Sequence, residues 1–418
     1  MAAPKLRFKE FDGTWKESRL KDLAVKITDG THDTPVVQKE GIPFLTAINV
    51  KDGLINYDDI GYVDEITHKK IYERCNPEKD DLLIVNIGAG TATCARNIVD
   101  YQFSLKNVAL VKPNRNLLNP IFLEQIQRKN SSKLFASLTS GGAQPFLSLK
   151  EIGKLLIKYP SLEEQTKIAS FLSAVDEKIS QLTQKHELLS QYKQGMMQKL
   201  FSQQIRFKAD DGSEFGEWEE VKFSDIFNFH QTNSYSRALL AEYGEIMNIH
   251  YGDIHTKFSM LFDVNKESVP FLNDEVDTSK IAKEQFLKVG DLVIADASED
   301  YKDIGKSIEV ISLNNQKVVA GLHTYIARPV KPFALGFCGY MMQTFPVREQ
   351  IKKLATGISV LGISKSNLGK VELSIPCLEE QTKIAKFLSS IDQKIEVVAQ
   401  QIELAKQWKK GLLQQMFV

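Results

Sequence analysis

The phrase LEEQTKIASFLSAVDEKI, Leu162 to Ile179, returns as LEEQTKIAKFLSSIDQKI, Leu378 to Ile395. The offset, 378 − 162 = 216, holds without insertion through Gln184/Gln400, Glu187/Glu403, Gln191/Gln407, Gly195/Gly411 and Phe201/Phe417. A repeat this long dictates the architecture of the rest of the chain. In the first copy Ile168, Leu172, Val175, Ile179, Leu182, Leu189, Met196 and Leu200 recur at steps of four, three and their sum, seven. His186 and Lys193 occupy the remaining slots of that ladder. In the second copy the ladder is Ile384, Leu388, Ile391, Ile395, Val398, Ile402, Ala405, Lys409, Leu412 and Met416. Alternating steps of four and three are the seam of a coiled coil. Neither copy contains proline, while Pro160-Ser161 and Pro376-Cys377 stand immediately before each. The paired glutamates that open each phrase suit the positive end of a helix dipole. Forty helical residues would span roughly 60 Å. Helices with one apolar stripe need a partner; two matched stripes in one chain favour internal pairing, with a parallel homodimer as the alternative. Within such a seam His186 reads as a register device or a partly exposed histidine rather than a ligand.

Between the helices lies a second, diverged repeat. Leu6-Arg7-Phe8-Lys9 echoes Ile205-Arg206-Phe207-Lys208, Trp15 echoes Trp218, Asp81 echoes Asp291, and Gly153-Lys154 echoes Gly369-Lys370. The chain is therefore a globular module and a long helix, twice. The expected segments are 1–160 (module one), 161–203 (central helix), 204–377 (linker and module two) and 378–418 (C-terminal helix). Short apolar runs bounded by turn residues mark strands: IPFLTAINV after Gly41, DLLIVNI from Asp81, NVALVKP from Asn107, DLVIADA from Asp291, SIEVISL from Ser307 and VVAGLHTYIARP from Val318. Amphipathic helices are expected around 119–137 and 334–355. The polar stretch SQQIRFKADDGSEFGE after Phe201 reads as a linker. The class is α+β, with mixed, β-rich modules.

Composition narrows the function. No apolar run is long enough to span a membrane, and MAAPKLRFKEFDGTW has no apolar core of a secretory signal. Cys75, Cys94, Cys338 and Cys377 are isolated, which predicts neither a zinc site nor a disulfide framework and suits a reducing, cytoplasmic setting. Lys+Arg and Asp+Glu balance at 53 each. By segment, residues 1–160 carry 23 bases against 19 acids and residues 204–377 carry 19 against 24. A chain that gripped nucleic acid alone and without specificity would be basic, because phosphate contacts dominate such binding.

Catalytic motifs are not in view. Ile87-GAGTA follows a strand, but TCARNIVDYQFS is a poor helix start for a phosphate loop. There is no Walker lysine loop and no Asn-Pro-Pro-aromatic tetrad. Asp291 with Asp300 and Lys302 is a weak carboxylate set, and the seven histidines form no metal cluster. Several loops are polar in the manner of base-edge readers. Module one offers Thr31, His32, Thr34, Asn86, Arg96 and Gln144. Module two offers Asn233, Tyr235, Arg237, His250, Lys302 and His323.

The doubled P-x-Leu-Glu-Glu-Gln-x-x-Ile-Ala-x-Phe-Leu-x-x-Ile/Val-Asp-x-Lys-Ile phrase, the Gly-x-Met/Leu-Met/Leu-Gln near each helix end, DGTHDTP, GIPFLTAINV and GLHTYIARP together resemble the specificity subunit of a type I restriction–modification enzyme. The resemblance covers essentially the whole chain. It implies two target recognition domains, each reading one half of an asymmetric, bipartite site on double-stranded DNA. It implies that the helices pack antiparallel as a spacer with pseudo-twofold symmetry. It also implies two methyltransferase subunits, which methylate adenine, and two restriction/translocase subunits. No cofactor is expected in this chain; S-adenosylmethionine, ATP and Mg²⁺ belong on the partners. The chain itself is expected to be non-catalytic. Identical residues outside the ladder, Glu163, Gln165, Lys167, Phe171 and their mates Glu379, Gln381, Lys383 and Phe387, are the expected partner-docking set, facing the partner subunits or the base of each module. The alternative is a scaffold that presents two modules to protein partners and reads no DNA.

Overall fold

The computed structural model describes residues 4–58, 60–88, 90–139 and 145–417. It forms two compact units, Met1–Gln184 with Ala399–Val418, and Lys185–Val398. The long helices, Leu162–Phe201 and Leu378–Met416, are thus not separate domains: each unit contains a module and a part of both helices.

In the first unit a four-stranded antiparallel sheet has the order Ala24–Asp29, Val108–Pro113, Leu82–Val85, Cys94–Arg96. Side chains alternate across it. Leu82, Ile84, Ala109 and Val111 enter a core with Phe122, Ile168, Leu172 and Phe417. Leu83, Val85, Val108 and Leu110 enter a second core with Phe44, Leu45, Phe103 and Leu105. That second core is closed by a small sheet, Gly61–Val63, Ile42–Thr46 and Ser104–Lys106, whose last pair is parallel. A strand covered on both faces must be apolar throughout, which is why DLLIVNI does not alternate. The second unit repeats this plan. Its main sheet runs Phe227–His230, Thr324–Pro329, Leu292–Ala295, Ser307–Ser312, with Leu261–Asp263 added in parallel at the edge. Leu292 and Ile294 face the helices; Val293 and Ala295 face the other core.

The expected helix near 119–137 is Pro120–Thr139. Its counterpart at 334–355 is broken into Phe337–Met342 and Phe345–Leu354. Pro346 sits in the first turn of the second piece, where a missing N–H is harmless, and so begins a helix rather than continuing one. The Phe337–Met342 helix starts on a buried carboxylate: Gly336 N and Gly339 N donate to Glu309 at 2.7 and 2.6 Å. Burial nevertheless pushes the Glu309 carboxyl up to about 7. A raised acid stabilises the fold below its unfolded value near 4.5, and that contribution is lost as pH climbs through 7, a span of about 3 kcal/mol. We therefore expect the stability difference between wild type and Glu309→Gln to change between pH 4.5 and 7.5. Denaturant melts giving parallel pH profiles for the two proteins would contradict this.

The internal helix pairing has a specific lock. In the first unit the start of the central helix lies beside the end of the C-terminal helix. Phe171 meets Trp408 edge-on at 6.1 Å, and Lys409 Nζ reaches Asp176 Oδ1 at 2.5 Å. In the second unit the end of the central helix lies beside the start of the other, with Lys193 Nζ 2.6 Å from Asp392 Oδ1. This order is antiparallel. The two ion pairs are each other's repeat mates, since 392 − 176 and 409 − 193 are both 216. The lysines that interrupt the ladder are therefore its fasteners. The modules hold the same aspartates: Gln125 Nε2 donates to Asp176 at 2.9 Å, and Tyr340 Oη donates to Asp392 at 2.6 Å. Ile168, Leu172, Val175, Leu182, Ile384, Leu388, Ile391, Val398, Ile402 and Leu412 are buried as expected; Ile179, Leu189, Met196 and Ile395 are partly covered.

The stretch after Phe201 is more than a linker. Arg206 grips Glu380 with Nε and Nη2, at 3.0 and 2.7 Å, and Phe207 packs on Phe387. Arg7 does the same to Glu164, at 2.8 and 2.7 Å, with Phe8 on Phe171. Each module is then closed by an antiparallel ribbon between its entry and exit, Lys16–Arg19 with Leu156–Tyr159 and Glu219–Lys222 with Glu372–Ile375.

Candidate nucleic-acid interface

In each main sheet the first strand starts beside the helices, and its far end is where polar loops converge. The chain turns there from the parallel strand of the small sheet into the long return strand. The turning residue has left-handed backbone in both modules, Asn107 at φ 56° and His323 at φ 55°. Asparagine and histidine are among the side chains that tolerate this region best. Close approach is needed too: a Cβ on Gly30 would lie 2.1 Å from Leu105 O.

Module one gathers Thr31, His32 and Thr34 at this corner. His32 Nε2 lies 2.8 Å from Asp29 Oδ2, and its Nδ1 lies 3.1 Å from Asn107 Oδ1. Lys106 donates to the Thr34 hydroxyl, while Thr31 Oγ1 accepts from Asp33 N at 3.1 Å. Two expected members are elsewhere engaged. Asn86 is 1% exposed, sealed beneath Leu147, whose N–H binds Asn86 O at 2.8 Å, so its amide cannot reach a base edge from this position. Arg96 is held by Asp80 at 2.5 Å and Glu124 at 3.6 Å; it braces the sheet and is not a free reader. Gln144 lies outside the described residues.

Module two gathers Asn233, Tyr235, Arg237, His250 and His323. Asn233, Tyr235, Lys280, Gln285, Asp296 and His323 line an open cleft of about 480 Å³. Asn233 Nδ2 donates to the buried Asn248 Oδ1 at 2.8 Å, and His323 Nδ1 lies 3.2 Å from Asp296 Oδ1. Arg237 Nη2 meets both His250 Nδ1 and Asp253 Oδ1 at 3.1 Å. Burial, with Arg237 adding to it, holds the His250 imidazole below its usual range, so Nδ1 is free to accept. Lys302 is exposed on a separate turn, where its carbonyl accepts from Arg348. Asp291, the weak carboxylate candidate, is fully buried and clasped by Arg328 Nε and Nη2 at 2.8 and 2.7 Å. Asp81 and Lys112 make the matching bond in module one at 2.7 Å, which marks the pair as structural.

The expected docking set divides. Glu163 and Glu379 are exposed. Gln165 and Gln381 are buried, at 0% and 3%, and cannot face a partner: they tie helix to module through Asn119 N and Ala334 N. Lys167 and Lys383 pair with Glu10 and Asp210 of the entry segments, and Phe171 and Phe387 carry Phe8 and Phe207. The sequence reading missed a better outward face. Leu188 and Tyr192, with their repeat mates Leu404 and Trp408, are all at least half exposed at four-residue spacing.

Among the described residues no group of three or more His, Cys, Asp or Glu side chains could hold a metal, and no helix is long and apolar enough to cross a membrane. Comparison with known proteins agrees with the doubled plan. The type I restriction modification DNA specificity domain matches residues 12–191 and again 216–407. The putative type I restriction enzyme MjaX specificity subunit of Methanocaldococcus jannaschii is 24% identical, over 97% of this chain and 93% of its own length. The MjaVIII specificity subunit of the same organism is 26% identical, over 97% and 94%. In fold the chain is similar to the S subunit of a type I restriction–modification system from M. genitalium, with a TM-score of 0.59, 14% identity and 100% and 99% of the two chains covered. With two modules of one topology, each ending in the same long helix, and with both copies matched, the chain belongs to the type I restriction–modification DNA specificity family and carries its domain twice.

Proposed function

We propose that the chain reads an asymmetric, bipartite site on double-stranded DNA, one half-site per module, with the paired helices setting the unread gap. The observation that carries this is the contrast between the two repeats. The helices are identical at 22 of 40 aligned positions, including the Asp176–Lys409 and Asp392–Lys193 pairs, while the corner loops share little beyond the left-handed turn. Sameness suits two copies of one partner, and divergence suits two different ligand sequences. A scaffold for identical proteins would keep its display loops alike, which disfavours the non-DNA alternative.

The doubled Leu188-Tyr192 and Leu404-Trp408 faces support docking of two methyltransferase subunits, with two restriction/translocase subunits completing the complex. S-adenosylmethionine, ATP and Mg²⁺ would reside on those partners in the cytoplasm, and this chain would direct adenine methylation or cleavage without supplying a reacting group. Positive surface on the partners would offset the acidic second module.

Exchange of residues 15–160 for the same module of another family member tests the assignment. The methylated motif should change in one half only, with the gap and the other half preserved. A change in both halves would overturn one-module-per-half recognition.

A further inference from the structure

We propose that each module presents one arginine mounted on a buried aspartate, Arg74 in the first and Arg237 in the second, and that each arginine reads a guanine edge in its own half-site. This rests on the DNA reading given above and names its specificity determinants.

In the first unit the Asp29 side chain is only 6% exposed, yet both groups it holds are open: Arg74 is 51% and His32 45% exposed. Arg74 Nη2 donates to Asp29 Oδ1. The backbone beneath is pinned as well, because Arg74 O accepts from Lys26 Nζ and Thr28 Oγ1 at 2.8 and 3.2 Å. In the second unit the Asp253 side chain is 1% exposed and holds Arg237 and Lys257, which are 52% and 58% exposed. In both mounts only the Nη2 nitrogen of the arginine is engaged by described residues: Arg74 keeps one Nη2 hydrogen open beside Nε or Nη1, whereas Arg237 gives both Nη2 hydrogens to His250 Nδ1 and Asp253 Oδ1 and must release His250 to offer a fork. A guanidinium held from behind keeps its fork oriented, and a bidentate fork matches the O6 and N7 acceptors of guanine.

Common descent does not account for the likeness. Asp29 ends the first strand, whereas Asp253 lies in the short helix Tyr251–Thr256. Arg74 is in the last turn of helix Glu65–Cys75, and Arg237 opens a 3₁₀ turn. The same device has been assembled from unrelated positions, and in both modules it touches the same corner. His32 links Asp29 to Asn107. His250 packs against Tyr251 with ring centroids 4.7 Å apart and the planes tilted by 31°, and Tyr251 meets His323 edge-on at 5.4 Å. In a module with five more acids than bases, two open cations on one buried carboxylate are a local positive spot.

The test uses the full chain assembled with its methyltransferase partner and reads methylation across all sequence variants of the motif. Arg74→Ala should relax one guanine position in one half-site, lowering discrimination there by about 5- to 150-fold, and Arg237→Ala should do the same in the other half only. Arg74→Lys and Arg237→Lys keep the ion pair and fold but lack the fork, and should relax the same positions. Asp29→Asn and Asp253→Asn should weaken preference at those positions as positioning changes. Loss that is uniform over all sequences, with a shallower salt dependence, would mean phosphate contacts and overturn the proposal; so would an unchanged motif. A wild-type complex that methylates no specific motif would instead remove the DNA reading on which it stands.

Discussion

Removing one heptad from each long helix, between Asp176 and Lys193 and between Asp392 and Lys409, should shorten the gap of the methylated motif by about 3 base pairs. Seven helical residues rise about 10.5 Å, against about 3.4 Å per base pair. The two aspartate–lysine pairs bracket equal lengths of the two helices, 193 − 176 = 17 and 409 − 392 = 17, so matched deletions leave both pairs in register. A whole heptad also keeps the a/d seam intact. Three base pairs turn the duplex by about 100°, so the rate of methylation at the new spacing should be much reduced. Both half-sites should be unchanged. Deleting the heptad from the central helix alone should be far more damaging, because the pairs can no longer form together and Lys409, 8% exposed, is left buried without its acid. Methylome sequencing reads the gap directly. A motif with altered half-sites and the original gap would sink the spacer role.

The largest stability effect is expected at Glu380. Its carboxylate, in a residue 1% exposed, accepts two bonds from Arg206 and a third from Trp218 Nε1 at 3.1 Å. Glu380→Ala should cost about 4 kcal/mol, combining a broken buried ion pair with an abandoned indole N–H. Glu164→Ala removes the same clasp from Arg7, but Trp15 Nε1 has no partner to lose, so the cost should be about 1 kcal/mol less. Trp218 alone reports on the second unit once Trp15 and Trp408 are replaced by phenylalanine, and Trp15 alone on the first once Trp218 and Trp408 are, so fluorescence against denaturant reads each variant in its own background. Equal shifts for the two variants would show that the indole bond contributes nothing.

Some of this was legible in the sequence and some was not, for physical reasons. Strands buried on both faces and a heptad ladder are patterns of residue type, and DLLIVNI, DLVIADA and the doubled helices were read from them. Partners are not patterns. Lys193 and Lys409 looked like flaws in a seam because the aspartates that hold them belong to the other helix; the available signal was that acid and base recur together at the same offset. For Gln165 and Gln381 the sequence allows either a partner-facing or a module-facing place, because identity between copies does not say which way a side chain points. Asn86 follows an apolar strand, which invites reading it as a loop tip, but the segment at Phe146-Leu147 covers it. Arg74, in the last turn of a helix, is what the helix dipole alone would favour. Only the depth of Asp29 sets it apart.

The clasp at each module's doorway explains how these proteins can drift in length. Between the copies the offset climbs from 199 at Arg7/Arg206 to 203 at Trp15/Trp218, 210 at Asp81/Asp291 and 216 at Gly153/Gly369, then stays at 216 to the last helical turns. Every added residue falls between a clasping arginine and the ribbon strand that leaves the module. Because entry and exit are bonded to each other in fixed register, extra chain inside lengthens a loop whose ends are already joined, at little entropic cost. Inheritance can therefore lengthen, trim or replace a reading surface without moving a single rung of the helical ladder.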